Sequence, residues 1–158
     1  MTLRMTATIF SLVLATTLYC QKVDKELILE EINKARAKSC KCGDQRFKAA
    51  PPLAWDERLE QAARLHAEDM MKNDFFSHTD SKGTAPAERV TNAGFEWRMV
   101  GENIAKGELD EVEVIQGWLN SPNHCKNIME PGFTHVAVAV SSDGLYWVQV
   151  FGTPMPTQ

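Results

Sequence analysis

Three residues carry the chemistry this chain could do. His78 lies in Phe76-Ser77-His78-Thr79-Asp80. Glu102 lies in Gly101-Glu102-Asn103-Ile104-Ala105. His124 closes Trp118-Leu119-Asn120-Ser121-Pro122-Asn123-His124. Two imidazoles and a carboxylate are a basis for a divalent-metal site or an acid–base pair. His78 and His124 are the expected ligands for zinc or another divalent cation. Two nitrogen ligands fall short of a closed structural set, so such a site would be open and weak. Glu102 is the expected general base if the site is catalytic. Asn103, beside it, is better suited to holding backbone by side-chain hydrogen bonds than to touching a ligand.

Several elements must position these groups. Residues 24–37 predict a helix that Asp24 can cap, with Leu27, Ile28, Ile32 and Ala35 at helical spacing. Residues 56–73 give the clearest helix. Leu59, Ala62, Ala63, His66 and Met70 share its apolar stripe, so His66 reads as a core histidine. A shorter helix over 85–93 ends at Gly94. Residues 99–105 predict a strand bearing Glu102. Residues 109–120 predict a helix with Val112, Ile115 and Leu119 inward, and Pro122 opens a helical turn with His124. Residues 134–140 and 145–151 alternate as strands around a Ser142-Asp143-Gly144 turn, an alternation that faces His135 outward. Helices first and a hairpin last indicate an α+β layered domain. Residues 39–52 and the tail 153–158 read as loops. Trp55, Trp97, Trp118 and Trp147 read as core and cleft-wall packing. The segment 81–100, which joins His78 to Glu102, is expected to overhang the cleft.

The three motifs in this order, closed by Tyr146-Trp147-Val148-Gln149-Val150-Phe151-Gly152, resemble the CAP superfamily of cysteine-rich secretory, antigen 5 and pathogenesis-related 1 proteins, also called SCP domains. The resemblance implies an α-β-α sandwich with an antiparallel sheet over residues 21–152. It also implies a cleft of two histidines and two acids that can bind a divalent metal. His78, Glu102 and His124 match three of those positions. The second acid would stand three residues after Trp118, where this chain has Ser121. The Trp-x-x-Ser-Pro-x-His form is similar to the bacterial branch, and Asp80 is the nearby acid expected to substitute.

Residues 1–20 have one early charge, Arg4, and an apolar run from Ile9 to Leu14. That is the build of a secretory signal peptide and is too short to span a bilayer. Cleavage would leave a soluble product from Gln21, or alternatively a lipoprotein anchored at Cys20. Removing those 20 of 158 residues takes the net charge from −4 to −5, which gives no basic patch for nucleic acid. The remainder is one domain with no transmembrane helix, expected to be monomeric. In an exported chain Cys40, Cys42 and Cys125 predict a disulfide joining Cys42, or else Cys40, to Cys125. A metal site of Cys40, Cys42 and a histidine is disfavoured by the single-residue spacer.

The chain is compatible with three functions. A secreted or periplasmic module could bind a metal, small molecule or cell-envelope component. A metal-assisted hydrolase of peptide or cell-wall substrates could use Glu102. A lipid-binding module, by analogy with some family members, could use Val90, Phe95 and Trp97. The chain has no nucleophile elbow and no His-Glu-x-x-His helix, which favours binding over hydrolysis.

Overall fold

The computed structural model describes residues 23–156. The leader 1–20 with Cys20, and the last two residues of the tail, lie outside the described residues. The described chain opens with α1 (Lys25–Arg36), then a small hairpin of β1 (Cys40–Cys42) and β2 (Gln45–Phe47). Next come β3 (Ala54–Trp55), α2 (Glu57–Lys72), α3 (Pro86–Asn92) and β4 (Trp97–Lys106). It closes with α4 (Glu111–Asn120), α5 (Pro122–Met129), β5 (His135–Val140) and β6 (Tyr146–Pro154). No described helix is long and apolar enough to cross a membrane.

The helix starts follow their caps. Asp24 accepts from the Leu27 amide and Asp56 from the Arg58 amide. The helix expected from residue 109 begins at Glu111, because Asp110 and Glu113 form a reciprocal capping box there. Val112, expected inward, is exposed. Val114, Ile115 and Trp118 are the buried stripe of α4. The supposed loop at 39–52 contains the β1–β2 hairpin, which turns through Gly43 at φ +62°. The expected tail is strand up to Pro154: Thr153 is buried and its hydroxyl donates to the Gly132 carbonyl.

One sheet divides the molecule. Its order is β3-β5-β6-β4, antiparallel except for the two-residue β3, which runs parallel to β5. Strand residues alternate between faces, and here both faces are covered. Val136, Val138, Val140, Trp147 and Phe151 pack toward α1, α4 and α5. Ala137, Ala139, Tyr146, Val148 and Val150 pack toward α2 and α3. This three-layer α+β arrangement is the expected sandwich. β4 is an edge strand, and the two residues Glu102 and Asn103 therefore point to opposite layers. Glu102 follows Val100 and Ile104 toward α2 and α3. Asn103 follows Met99 and Ala105 toward α4 and α5.

Two fastenings hold the α1–α5 layer. Cys42 and Cys125 form a disulfide with Cα atoms 5.4 Å apart across 83 residues. Arg36, fully buried at the end of α1, donates to the carbonyls of Pro51 (2.7 Å), Ile128 (2.6 Å), Glu130 (3.0 Å) and Phe133 (3.4 Å). Burial lowers its guanidinium to about 10, against the opposing pull of the Glu130 carboxylate, so it stays charged at neutral pH. Arg36→Met keeps the apolar stem but leaves these carbonyls without their charged donor. It is expected to cost roughly 3–5 kcal/mol in urea unfolding.

Candidate functional site at the edge of strand β4

Glu102 is buried, and both its carboxylate oxygens are engaged. His78 Nδ1 lies 2.8 Å from Oε1, and Arg89 Nη2 lies 2.6 Å from Oε2. The side chains are 3% exposed for Glu102, 8% for Arg89 and 52% for His78, so the pair is dry on one side and open at the imidazole. The carboxylate can only accept, so Nδ1 carries the hydrogen and His78 is left with an unprotonated Nε2 when neutral. The other guanidinium nitrogen of Arg89 donates to the carbonyls of His78 (2.9 Å) and Thr84 (2.8 Å). One guanidinium thus fixes both the carboxylate and the backbone of the histidine it orients.

The loop carrying His78 is also tied to α2. His66 Nε2–H donates to the Ser77 carbonyl at 2.8 Å, and Asp69 accepts from the Ser81 amide and hydroxyl. His66 is the buried core histidine expected, but its Nδ1 has no partner. His78 and Glu102 line a cavity of about 380 Å³ with Ala85, Pro86, Ala87, Val100 and Gly101. The 81–100 segment therefore does wall the cleft, through the start of α3. Gly101 belongs here because an added Cβ would lie 2.7 Å from the Phe133 ring.

On the opposite layer, Asn103 is buried and donates to Gln149 Oε1 (2.8 Å) and to the His124 carbonyl (3.2 Å). Asn127 donates to Asn103 Oδ1 (2.8 Å) and, across the sheet edge, to the Glu102 carbonyl (3.2 Å). This amide chain locks the first turn of α5 against β4. His124 is half-buried. Burial lowers its pKa, and charge on His78 lowers it further.

Other expected residues fall elsewhere. Ser121 precedes α5 but its side chain makes no capping bond; Pro122 at the first helical position already dispenses with one donor. Asp80 does not join Glu102. It accepts from the Lys82 and Thr84 amides in its own turn and lines a separate cavity of about 340 Å³ with His66 and Asp69. Burial alone would raise its carboxyl, but those amides outweigh it and hold the pKa below its usual value. Trp97 is exposed rather than core; Trp118 and Trp147 are buried, while Trp55 is half-buried. His135 is half-buried, edge-on to Phe95. Among the described residues the cluster of three metal-type ligands is Cys40, Cys42 and Cys125. Two of these sulfurs are spent in the disulfide, which removes the Cys-Cys-His metal reading.

Arg89 and Gln149 were not singled out from the sequence. Gln149 had a signal, since an amide in an otherwise apolar strand must find buried partners. Arg89 had only the indirect one that a buried Glu102 requires a cation.

A three-layer sandwich with a histidine–carboxylate cleft on its edge strand defines the class of protein. Residues 29–151 match the cysteine-rich secretory protein family, CAP, and the chain belongs to that family. It is 38% identical over 100 residues to the uncharacterised protein YkwD of Bacillus subtilis (strain 168), covering 63% of this chain and 39% of that protein. It is 35% identical over 99 residues to the uncharacterised membrane protein YlbC of the same organism, covering 63% and 28%. Among solved structures, an extracellular SCP-domain protein of Bacillus anthracis str. Ames superposes with a TM-score of 0.69 at 30% identity, over 81% of this chain and 39% of that one. The chain thus spans about two fifths or less of these relatives.

Two outcomes follow from the buried charges. Arg89→Met strands a buried carboxylate and is expected to cost about 3–5 kcal/mol of stability, which Arg89→Lys restores only in part because one ammonium nitrogen cannot span the carboxylate and the two carbonyls that separate guanidinium nitrogens reach. Burial also lowers the His66 pKa, with Glu102 and Arg89 pulling in opposite directions. The unfolded chain therefore takes up the proton first, near about 6.5. Stability is then full above about 6.5 and falls as pH drops below it toward the folded pKa. His124 adds to this loss in the same direction. His66→Gln, which keeps a donor for Ser77, should flatten the fall of stability below about pH 6.5 in urea titrations.

Proposed function

We infer that this is an exported CAP-domain binding module whose cleft takes a divalent cation, zinc being the first test case, through His78 and His124. The observation that supports it is the Arg89–Glu102–His78 relay. A carboxylate bonded to Nδ1 of an imidazole fixes the tautomer and aims Nε2 outward, the arrangement that metal-ligating histidines use. His124, with its lowered pKa, stays neutral and available at neutral pH. A cation bound there would act as a Lewis acid toward an oxygen-bearing ligand. The chain's own contribution is to orient one imidazole, keep the second neutral and wall the cleft with α3.

Hydrolysis finds less support. Glu102 is only 3% exposed and already accepts from His78 on one oxygen and from Arg89 on the other, which keeps water from reaching it as a base, and Asp80 does not supply the missing acid. Export is supported by the signal-like leader, by the disulfide and by the Bacillus anthracis relative described as extracellular. Anchoring through Cys20 is the alternative to free release, and a small molecule, lipid or envelope component is the partner class.

Calorimetric titration of zinc into the protein at pH 7.5 should show binding that His78→Ala/His124→Ala abolishes. Glu102→Gln should weaken it about 10–100-fold while leaving both ligands in place. Affinity should fall as pH drops through the histidine range. Equal zinc affinity in the wild type and the double variant would sink the reading.

A further inference from the structure

The third cysteine of the described chain is unpaired but not isolated. Cys40 keeps its thiol, and its Sγ lies within 4.8 Å of both sulfurs of the Cys42–Cys125 disulfide. Cys40 and Cys42 are two residues apart on β1, so their side chains share one face of that strand, and α5 brings Cys125 to that face. Both disulfide sulfurs belong to residues only 1% exposed, whereas Cys40 is half-buried at the rim. Cys40 is therefore the most solvent-accessible of the three sulfur-bearing residues.

We propose that Cys40, Cys42 and Cys125 form a thiol–disulfide exchange site whose nucleophile is Cys40 and whose substrate class is an anionic thiol. In the first step the Cys40 thiolate attacks Sγ of Cys125. The Cys40–Cys125 bond forms, the Cys42–Cys125 bond breaks, and Cys42 leaves as a thiolate that takes up the proton Cys40 gave up. In the second step an external thiolate attacks Sγ of Cys40. A mixed disulfide forms at Cys40 and Cys125 leaves as a thiolate, which is then protonated. Two electrons stay in sulfur throughout, and the incoming thiol is the reductant.

The direction of attack follows from the strand. Cys40 and Cys42 side chains project in parallel, with Cα atoms roughly 6.6 Å apart in extended backbone, at the far end of disulfide range. Cys125 instead faces both. Moving the bond from Cys42 to Cys40 changes the closed loop by only two residues out of 83, so chain entropy barely distinguishes the two isomers. Charge selects the substrate. Lys38, Lys41, Arg46 and Lys48 are all exposed on or beside the hairpin, with Asp44 the one acid of the stretch, in a chain whose net charge is −4. Lys41 and Arg46 face each other across its two strands. Burial raises the Cys40 pKa, so exchange should quicken as pH rises above neutral.

The test uses the folded, oxidised protein and reduced glutathione as the anionic probe, followed by alkylation and non-reducing peptide mapping. Glutathione is expected on Cys40, with alkyl label on Cys42 and Cys125, at a rate that climbs with pH. Cys40→Ser should slow reduction of the Cys42–Cys125 bond at least about tenfold, since the intramolecular step is lost. Cys42→Ser should form a Cys40–Cys125 disulfide while keeping its circular dichroism. Equal reduction rates in wild type and Cys40→Ser would overturn the proposal, as would glutathione mapping to Cys42 or Cys125. A folded Cys42→Ser variant with two free thiols would do the same. If 2-mercaptoethanol, a neutral thiol, reacts as fast as glutathione at equal thiolate concentration, the basic hairpin does not select the substrate and that part of the proposal is wrong.

Discussion

A carboxylate whose side chain is 3% exposed must find its countercharge in the fold, and Glu102 finds it in Arg89, with a further hydrogen bond from His78. Removing an anion from water costs several kcal/mol unless charge and hydrogen bonds replace the solvent. That cost dictates much of the architecture around β4. α3 must lie where Arg89 can reach Glu102, and the loop after α2 must return to the same spot so that its carbonyls satisfy the rest of the guanidinium. His66 and Asp69 brace that loop from α2. The result is an imidazole held from both ends, its Nδ1 by Glu102 and its backbone by Arg89, with its outer nitrogen turned to the open cleft.

The edge position of β4 explains why the site draws on both layers. An interior strand has neighbours on both sides, so side chains on its two faces cannot approach one another around it. β4 pairs only with β6, and Asn127 from α5 reaches over its free edge to the Glu102 carbonyl. Asn103 then carries the connection through to Gln149 and the His124 backbone. A chain of three amides does on the α5 side what Arg89 does on the α3 side. The disulfide and Arg36 hold α5 from behind, so His124 sits on a helix fixed at several points.

Much of this was legible in the chain. Period-two alternation at residues 134–140 and 145–151 can be satisfied only by strands, and aspartates ahead of apolar stripes can be read directly as helix caps, so β5, β6, α1 and α2 follow from local pattern. The shallow errors have local causes as well. The capping box moved the start of α4 to Glu111, which rotated Val112 outward. A three-residue strand, Cys40-Lys41-Cys42, carries too little periodicity to be seen, which hid β1. At the site, His78, Glu102 and His124 stood out by motif. Arg89 did not, because an arginine in a seven-residue helix carries no local mark of burial.

Sequence by itself determined the longer secondary elements, the family and the kinds of donor atom present, because periodicity, caps and motifs are short-range properties. Only the tertiary structure decided which of those atoms meet. It showed that Glu102 bonds two partners from different segments, that Asp80 faces its own turn, and that Cys42 rather than Cys40 holds Cys125. Each of those choices depends on contacts between residues 13 to 83 positions apart, or on the side to which a loop folds back. Such contacts are set by packing against both faces of the sheet, which no local stretch of the chain encodes.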